Sequence, residues 1–404
     1  MSDGNPDTNM IYQTPKLQQE DRDALQLVAG QRERLRYLMH HSPGRWTGLL
    51  RRALQARAIQ GSNSIEGILA DLDTAIAAVE DESPLDNRTE TWKAIHGYRQ
   101  AMTYIMQAAQ DQYFELSKQF LKSLHFMIAN YRMTNLPGQW RMGMVYVVNS
   151  KTGETVYEPP DAELVDPLIN QLVEYLQDWS NNEPALVRAA MAHLNLTMIH
   201  PFKDGNGRVA RALQTLVIAH DGFLHPVFSS IEEWLGDNTQ AYYDTLAYTG
   251  QGKWNPERDA LPWVRFCIKG HYQQAAKLIR RNEEAGKLYD RIMEQIELHR
   301  LPDRTWSALF DAAYGLRITN SRYRNDADIT DYTATRDLKK LSDAGLLEPR
   351  GEKRNRTYVA APEITALRNA TRIKRPLEDP YEIVGRRRRS AAQSEEETAR
   401  LPGI

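Results

Sequence analysis

HPFKDGNGRVAR, residues 200–211, packs an imidazole, a carboxylate, a glycine-rich turn and two arginines into twelve consecutive positions. Gly205 and Gly207 let the backbone turn tightly, so that successive amides can converge on one anion. The apolar run that follows, Ala212, Leu213, Leu216, Val217 and Ile218, predicts a buried helix. The first amides and positive dipole end of that helix would face the same anion. Arg208 and Arg211 lie three apart and share a helix face, where each can hold a different phosphate. Asp204 offers the hard oxygen that Mg2+ prefers, and Mg2+ normally accompanies polyphosphates. His200 is the one group here that accepts a proton near neutral pH, its ordinary pKa being about 6.5. Singly, DGNG is an ordinary turn and RxxR a solvated helix face; together at fixed spacing they predict a loop that grips phosphate as it enters a helix.

Helical patterns dominate outward from this stretch. Ala24, Leu27, Val28, Leu35 and Leu38 recur at helical spacing, as do Leu50, Ala53, Leu54 and Ala58, then Ile68, Leu69, Leu72, Ile76 and Val79. Three more helices are expected between 88 and 130, another over 162–180, and a long one over 257–299. The fold class predicted is all-α, an antiparallel helical bundle. The exception is 136–160, where β-formers alternate around Lys151-Thr152-Gly153 and predict a β-hairpin. The predicted organisation is a disordered arm at 1–15, N-terminal helices at 16–87, a core at 88–255 and linking helices at 256–302. A second module at 303–365 and a charged, disordered tail at 366–404 complete it.

Composition constrains little else. The 404 residues are 41% hydrophobic and 26% charged with a formal net charge of −2, which argues neither for nor against nucleic acid. A single cysteine, Cys267, excludes an intrachain disulfide framework. The N-terminal residues lack the basic and apolar regions of a signal peptide and no run of eighteen apolar residues occurs, so the expectation is a cytoplasmic chain that does not enter membranes.

The 200–211 stretch resembles the signature of the Fic domain (filamentation induced by cAMP), HPFx(D/E)GNGRxxR, and matches every specified position. The resemblance implies a Fic-type bundle that transfers AMP from ATP to a hydroxyl of a target protein. It implies His200 as the base, Asp204 as the Mg2+ ligand, and Lys203, Gly205, Asn206, Gly207, Arg208 and Arg211 as nucleotide contacts. Tyr242-Tyr243 is similar to tyrosines that many Fic domains place beside the nucleotide, although neighbouring aromatics also suit a core. The 141–158 hairpin resembles the flap on which the target segment adds as a strand. Ser62-Asn63-Ser64-Ile65-Glu66-Gly67 resembles the (S/T)xxxE(G/N) inhibitory motif, which implies that Glu66 pairs with Arg211 in two parallel bonds and blocks the γ-phosphate, with Ser62 opening the motif. The same residues also read as a helix start, with Ser62 or Asn63 as the cap.

Residues 303–362 resemble a winged helix-turn-helix, with Leu338, Leu341 and Leu346 buried and Thr333, Thr335, Arg336, Lys339 and Lys340 exposed. Arg336, Lys339, Lys340, Arg354 and Arg356 are the candidates for DNA phosphates, although Asp337, Asp343, Glu348 and Glu352 dilute that face. Two other functions stay open: a nucleotide-sensing DNA-binding regulator, and a phosphodiesterase that removes AMP with Glu66 orienting water. Self-modification and homodimerisation stay open as well.

Overall fold

The computed structural model describes residues 10–41, 44–80, 89–148, 152–178, 183–222, 228–352 and 356–400, without the side chains of 44–47 and 394–400. These residues divide into two compact units, one from residues up to 36, 51–275 and those after 377, the other from 37–50 and 276–377.

Helices α1 (Gln19–His41), α2 (Gly44–Ile65) and α3 (Leu72–Val79) precede α4 (Glu90–Ala108) and α5 (Lys118–Ala129). Side chains of Asp71, Thr89 and Ser117 accept bonds from the backbones of Thr74, Trp92 and Phe120 and so start α3, α4 and α5. Two helices, not three, fill 90–129, because 109–117 between them is not helical. The strands β1 (Val147–Val148) and β2 (Thr155–Tyr157) pair antiparallel with a register shift and form the expected hairpin; its turn residues 149–151 lie outside the described residues. Then come α6 (Val165–Gln177), α7 (Ala185–Ile199), α8 (Asn206–His220), α9 (Glu232–Asp237), α10 (Thr239–Gly250) and α11 (Leu261–Leu298). Helix α7 is buried almost all round and α8 from Arg208 to Ala219, which makes this antiparallel pair the centre of the first unit's core. The loop that joins them is residues 200–205, so the chemistry sits where two core helices meet.

In the second unit α12 (Trp306–Ala313), α13 (Asn320–Ala327) and α14 (Asp331–Asp343) are followed by the antiparallel strands β3 (Leu347–Arg350) and β4 (Thr357–Ala360), then α15 (Pro362–Thr371). Ile318 adds a bridge to Tyr358. Leu338, Leu341 and Leu346 are buried, as the sequence predicts.

Three expectations need correction. The arm is not disordered from residue 10 onward: Ile11 and Tyr12 are buried, and the Tyr12 backbone exchanges two hydrogen bonds with the Asn195 side chain, at 2.8 and 3.1 Å. The tail is not disordered through 400 either, since α16 (Pro380–Arg400) buries Val384 and pairs Arg388 with Asp23 at 2.7 Å. Asp337 does not dilute the face of α14; it is fully buried, held by Arg304 at 2.6 Å and by the Tyr323 hydroxyl at 3.1 Å.

Candidate active site

The loop begins with His200, which ends α7 in a left-handed conformation, φ 52°. A non-glycine residue rarely adopts this backbone, and still more rarely ahead of proline, so the surroundings must hold it there. They do so from two sides. The His200 amide donates to the Leu196 carbonyl at 3.1 Å, and the His200 carbonyl accepts from Arg141 Nε at 2.9 Å. Ring Nδ1 lies 3.1 Å from the Thr197 carbonyl, a pure acceptor, so Nδ1 carries the proton and Nε2 keeps the lone pair. Burial pushes the ring's pKa down to about 4, against the upward pull of the Thr197 bond. The imidazole is therefore neutral at pH 7 and able to take a proton.

Gly205 caps α8 at φ 80°, a conformation that would strain a side-chain-bearing residue. Its amide donates to Asp204 Oδ1 at 2.7 Å, while Asp204 Oδ2 accepts from Asn135 Nδ2 at 2.6 Å. Beneath the loop, the Gly138 amide donates to His125 Nδ1 at 2.9 Å, which leaves His125 Nε2–H to donate to the Asp204 carbonyl at 2.9 Å. The His125 ring stacks on Phe202 with centroids 3.7 Å apart. The first intrahelical bond runs from the Val209 amide to the Gly205 carbonyl. The amides of Asn206, Gly207 and Arg208 thus open the helix without an intrahelical acceptor, the kind of donors a helix start offers to an anion.

Arg208 is buried, with its guanidinium 5.5 Å from the Tyr131 ring centre and Nη2 3.3 Å from the Tyr131 hydroxyl. Its Nε has no hydrogen-bond partner among the described residues. Arg211 is also buried, and its fork is shared. Nε donates to Ser62 Oγ at 2.8 Å, Nη2 donates to the Ser62 carbonyl at 2.9 Å and to Glu66 Oε1 at 2.7 Å. Glu66 thus makes one bond to Arg211, not the two parallel bonds expected, because Ser62 already occupies Nε. Burial acts to raise the Glu66 pKa, but the charge and hydrogen bond of Arg211 outweigh it and hold the carboxyl below its ordinary range. Burial acts to lower the Arg211 pKa, and Glu66 reverses that and raises it. A Cβ on Gly207 would lie 2.4 Å from Glu66 Oε1, so only glycine admits the carboxylate to this seat. Glu66 Oε1 thus lies against the first turn of α8, between Gly207 and Arg211.

Several predicted contacts are placed differently. Ser62 and Asn63 lie inside the C-terminal end of α2, with Asn63 Nδ2 bonded to the Ile59 carbonyl at 2.8 Å, so they do not cap a helix start. The Asn206 side chain points away from the anion seat: it is buried and makes two bonds to the Phe202 backbone, at 2.8 and 2.9 Å. Tyr242 is buried behind Arg211, its hydroxyl 3.5 Å from Arg211 Nη1 and 3.0 Å from His193 Nε2. Tyr243 donates to the Ile65 carbonyl at 3.0 Å and clasps the C-terminal end of α2. Lys203 is exposed and donates to the Thr134 carbonyl at 3.0 Å. Sequence reasoning missed His125, Asn135, Tyr131 and Arg141; only His125 left a signal, as a histidine on the apolar face of α5 beside Leu121, Leu124 and Ile128.

Asp204 fits Mg2+. Its carboxylate is 42% exposed, accepts one bond on each oxygen, from the Gly205 amide and from Asn135, and stays 4.0 Å from Arg208, so a lone pair remains on each oxygen. No cluster of three metal-ligating side chains occurs among the described residues.

The core around the site keeps four histidines neutral. Burial depresses His125 to about 4, His193 to about 3 and His271 to about 3, alongside His200 at about 4. Folded pKa values below the unfolded value of about 6.5 mean that unfolding takes up protons, so stability present above pH 6.5 is lost as pH falls toward 4. Glu232 opposes this, since burial raises it to about 7 and its contribution is lost as pH rises through that value. With four groups against one, the unfolding free energy is expected to fall between pH 7 and 5 with a limiting slope of about 4 kcal/mol per pH unit, and the thermal midpoint to fall with it. A midpoint independent of pH in a calorimetric series across that range would contradict the neutral assignments.

The Fic/DOC family model matches residues 115–218. Over 119 residues the chain is 36% identical to the protein adenylyltransferase fic-1 of Caenorhabditis elegans, covering 28% of this chain and 20% of that protein. Over 263 residues it is 24% identical to the protein adenylyltransferase Fic of Nematostella vectensis, covering 63% and 55% respectively. The chain spans about a fifth to about half the length of these two curated relatives. In fold it is similar to a Fic family protein from Desulfovibrio desulfuricans, at a TM-score of 0.57 and 20% identity over 87% of this chain and 99% of that one. It is also similar to residues 134–508 of C. elegans Fic-1, at a TM-score of 0.51 and 24% identity over 64% and 72%. No helix among the described residues is long and apolar enough to cross a membrane. The loop 200–205 and the arginines at 208 and 211 lie within the 115–218 stretch that matches the Fic/DOC family model.

Proposed function

We propose that the chain is a protein adenylyltransferase that moves AMP from ATP to a Tyr, Thr or Ser hydroxyl of a target protein, and that Glu66 restrains it. One observation carries this reading. Glu66 Oε1 sits 2.7 Å from Arg211 Nη2 against the first turn of α8, so a carboxylate of the chain itself fills a seat built for phosphate. The names of the relatives support the same chemistry.

In the reaction, His200 Nε2 accepts the proton of the target hydroxyl and its oxygen attacks the α-phosphorus of ATP. The bond from that phosphorus to the pyrophosphate oxygen breaks, and pyrophosphate leaves. Arg208 and the amides of 206–208 offset charge on the phosphates, and Arg211 takes the γ-phosphate once Glu66 withdraws. Asp204 would hold Mg2+, which would supply further neutralisation of the phosphates. The target segment docks on the flap at 141–158. The test uses ATP labelled in turn at the α- and γ-phosphate. Label that stays on protein from the α position alone supports AMP transfer, and label from the γ position would make the chain a kinase.

A second reading concerns the other unit. Arg336, Lys339 and Lys340 are exposed on one helix with Tyr332 and Thr335, Arg356 is exposed after β3, and Asp337 is turned inward; Arg354 lies outside the described residues. This face suits duplex DNA bound through phosphates. Replacing Arg336, Lys339 and Lys340 with alanine should flatten the slope of log affinity against log salt by about 2.7, at about 0.9 per phosphate contact. An unchanged slope in anisotropy titrations would remove DNA from the account.

A further inference from the structure

We infer that Arg141 is a positioning residue that ties the target-docking flap to the backbone of His200, so that the incoming hydroxyl and the base move as one unit. The inference rests on the adenylyltransferase reading and adds to it a group outside the signature stretch.

Arg141 is 5% exposed, and its guanidinium spends its donors on three separate pieces of chain. Nε donates to the His200 carbonyl at 2.9 Å, Nη1 donates to the Gly143 carbonyl at 3.0 Å, and Nη2 donates to the Pro160 carbonyl. Its own amide donates to the Pro201 carbonyl at 2.9 Å. Gly143 is on the arm that rises into the flap, and Pro160 follows the arm that descends from it. One side chain therefore closes the base of the hairpin and fastens it to both residues of the His200-Pro201 step.

The fastening matters because the flap has few other anchors. Its ribbon holds two and three residues per strand, too little to be rigid alone. The descending arm is tied twice more, where Glu158 exchanges bonds of 2.9 Å each with Gly252 and Trp254 and where the Tyr157 hydroxyl donates to the Met198 carbonyl at 3.0 Å. Among the described residues, the backbone of the rising arm past Arg141 makes no hydrogen bond outside the ladder itself, so its distance from the base depends strongly on Arg141. The His200 backbone, left-handed ahead of a proline, likewise depends on what holds its carbonyl. A planar guanidinium with donors in fixed directions serves three carbonyls at once, which an ammonium on a flexible stem does not.

Arg141 makes none of these bonds to residues 204–211. Its loss should therefore leave ATP affinity within about threefold while slowing transfer about 100-fold, the effect of misplacing reacting atoms by about 1 Å. The experiment places Arg141→Met and Arg141→Lys in the Glu66→Gly chain, and measures kcat and KM for ATP in transfer together with ATP affinity by calorimetry. Hydrogen exchange is followed in the same proteins at the amides of 142–148, 155–158 and 200. The expected result is a fall in kcat with affinity kept, partial recovery with lysine, and faster exchange in both the flap and at His200 while α8 stays protected. Unchanged exchange in either place, or ATP affinity falling in step with kcat, would overturn the inference. If the Glu66→Gly parent transfers no AMP yet exchange rises in flap and His200 together, the tie stands and the adenylyltransferase reading falls.

Discussion

Replacing Glu66 with glycine is expected to raise AMP transfer roughly 10- to 100-fold. The size follows from what is removed. Glu66 makes a single charge-assisted bond to Arg211, at 2.7 Å, and such a bond contributes about 1.5–3 kcal/mol against a competitor for the same donor. Each 1.4 kcal/mol or so is a factor of ten in the population of the seat open to a γ-phosphate. Ser62 remains on Nε and Nη2, so Arg211 keeps its direction after the change and is ready to bind. The same variant has a stability signature. Arg211 is fully buried, and Glu66 is its ion-pair partner among the described residues, so the free variant loses a counter-charge and its thermal midpoint should drop by several degrees. ATP with Mg2+ restores that charge and should raise the midpoint of the variant more than that of the parent. Glu66→Gln, which keeps the size and a weaker acceptor, should fall between the two. Equal transfer by all three proteins, with equal shifts on adding ATP, would dismiss Glu66 as a brake.

How far the sequence could be read depends on whether a role is carried by neighbouring residues or by distant backbone. The loop and its arginines were legible because residues 200–211 are contiguous and the glycine turn needs positive φ at Gly205. The pair between Glu66 and Arg211 spans 145 residues and was legible only through the resemblance of its motif. Ser62 and Asn63 looked like a helix start because a cap and a C-terminal turn can share residue types; the run Leu54, Ala58, Ile59 and Ile65 continuing through them points the other way. His125, Asn135 and Arg141 reach the 200–204 loop, through carbonyls or one carboxylate, from 59 or more residues away, and no spacing ties them to it. The arm and tail looked too polar to fold because each buries few apolar groups. Tyr12 inside the arm and Val384 inside the tail show that a few are enough when the rest of the segment docks on a finished core.

His200→Asn should lower transfer by about a thousandfold or more while ATP still binds, and the choice of asparagine matters. His200 ends α7 at φ 52°, a conformation that costs alanine about 1–2 kcal/mol but that asparagine tolerates. A loss seen with asparagine therefore reports the missing base and not a collapsed helix end. His200→Ala should lose as much activity and, in addition, some stability. The pH profile gives an independent check. Burial sets the ring's pKa at about 4 in the free protein, and a general base works only unprotonated. The kcat/KM for transfer should thus stay level from pH 8 down to about 5.5 and decline only as pH approaches 4, in a range where the fold itself is weakening. The two declines separate by measuring the folded fraction alongside the rate, because loss of base acts on folded molecules and loss of fold removes them. A break near 6.5 in fully folded protein would mean that the ring titrates as it does in water. It would then be another group, or water unaided, that removes the proton from the target hydroxyl.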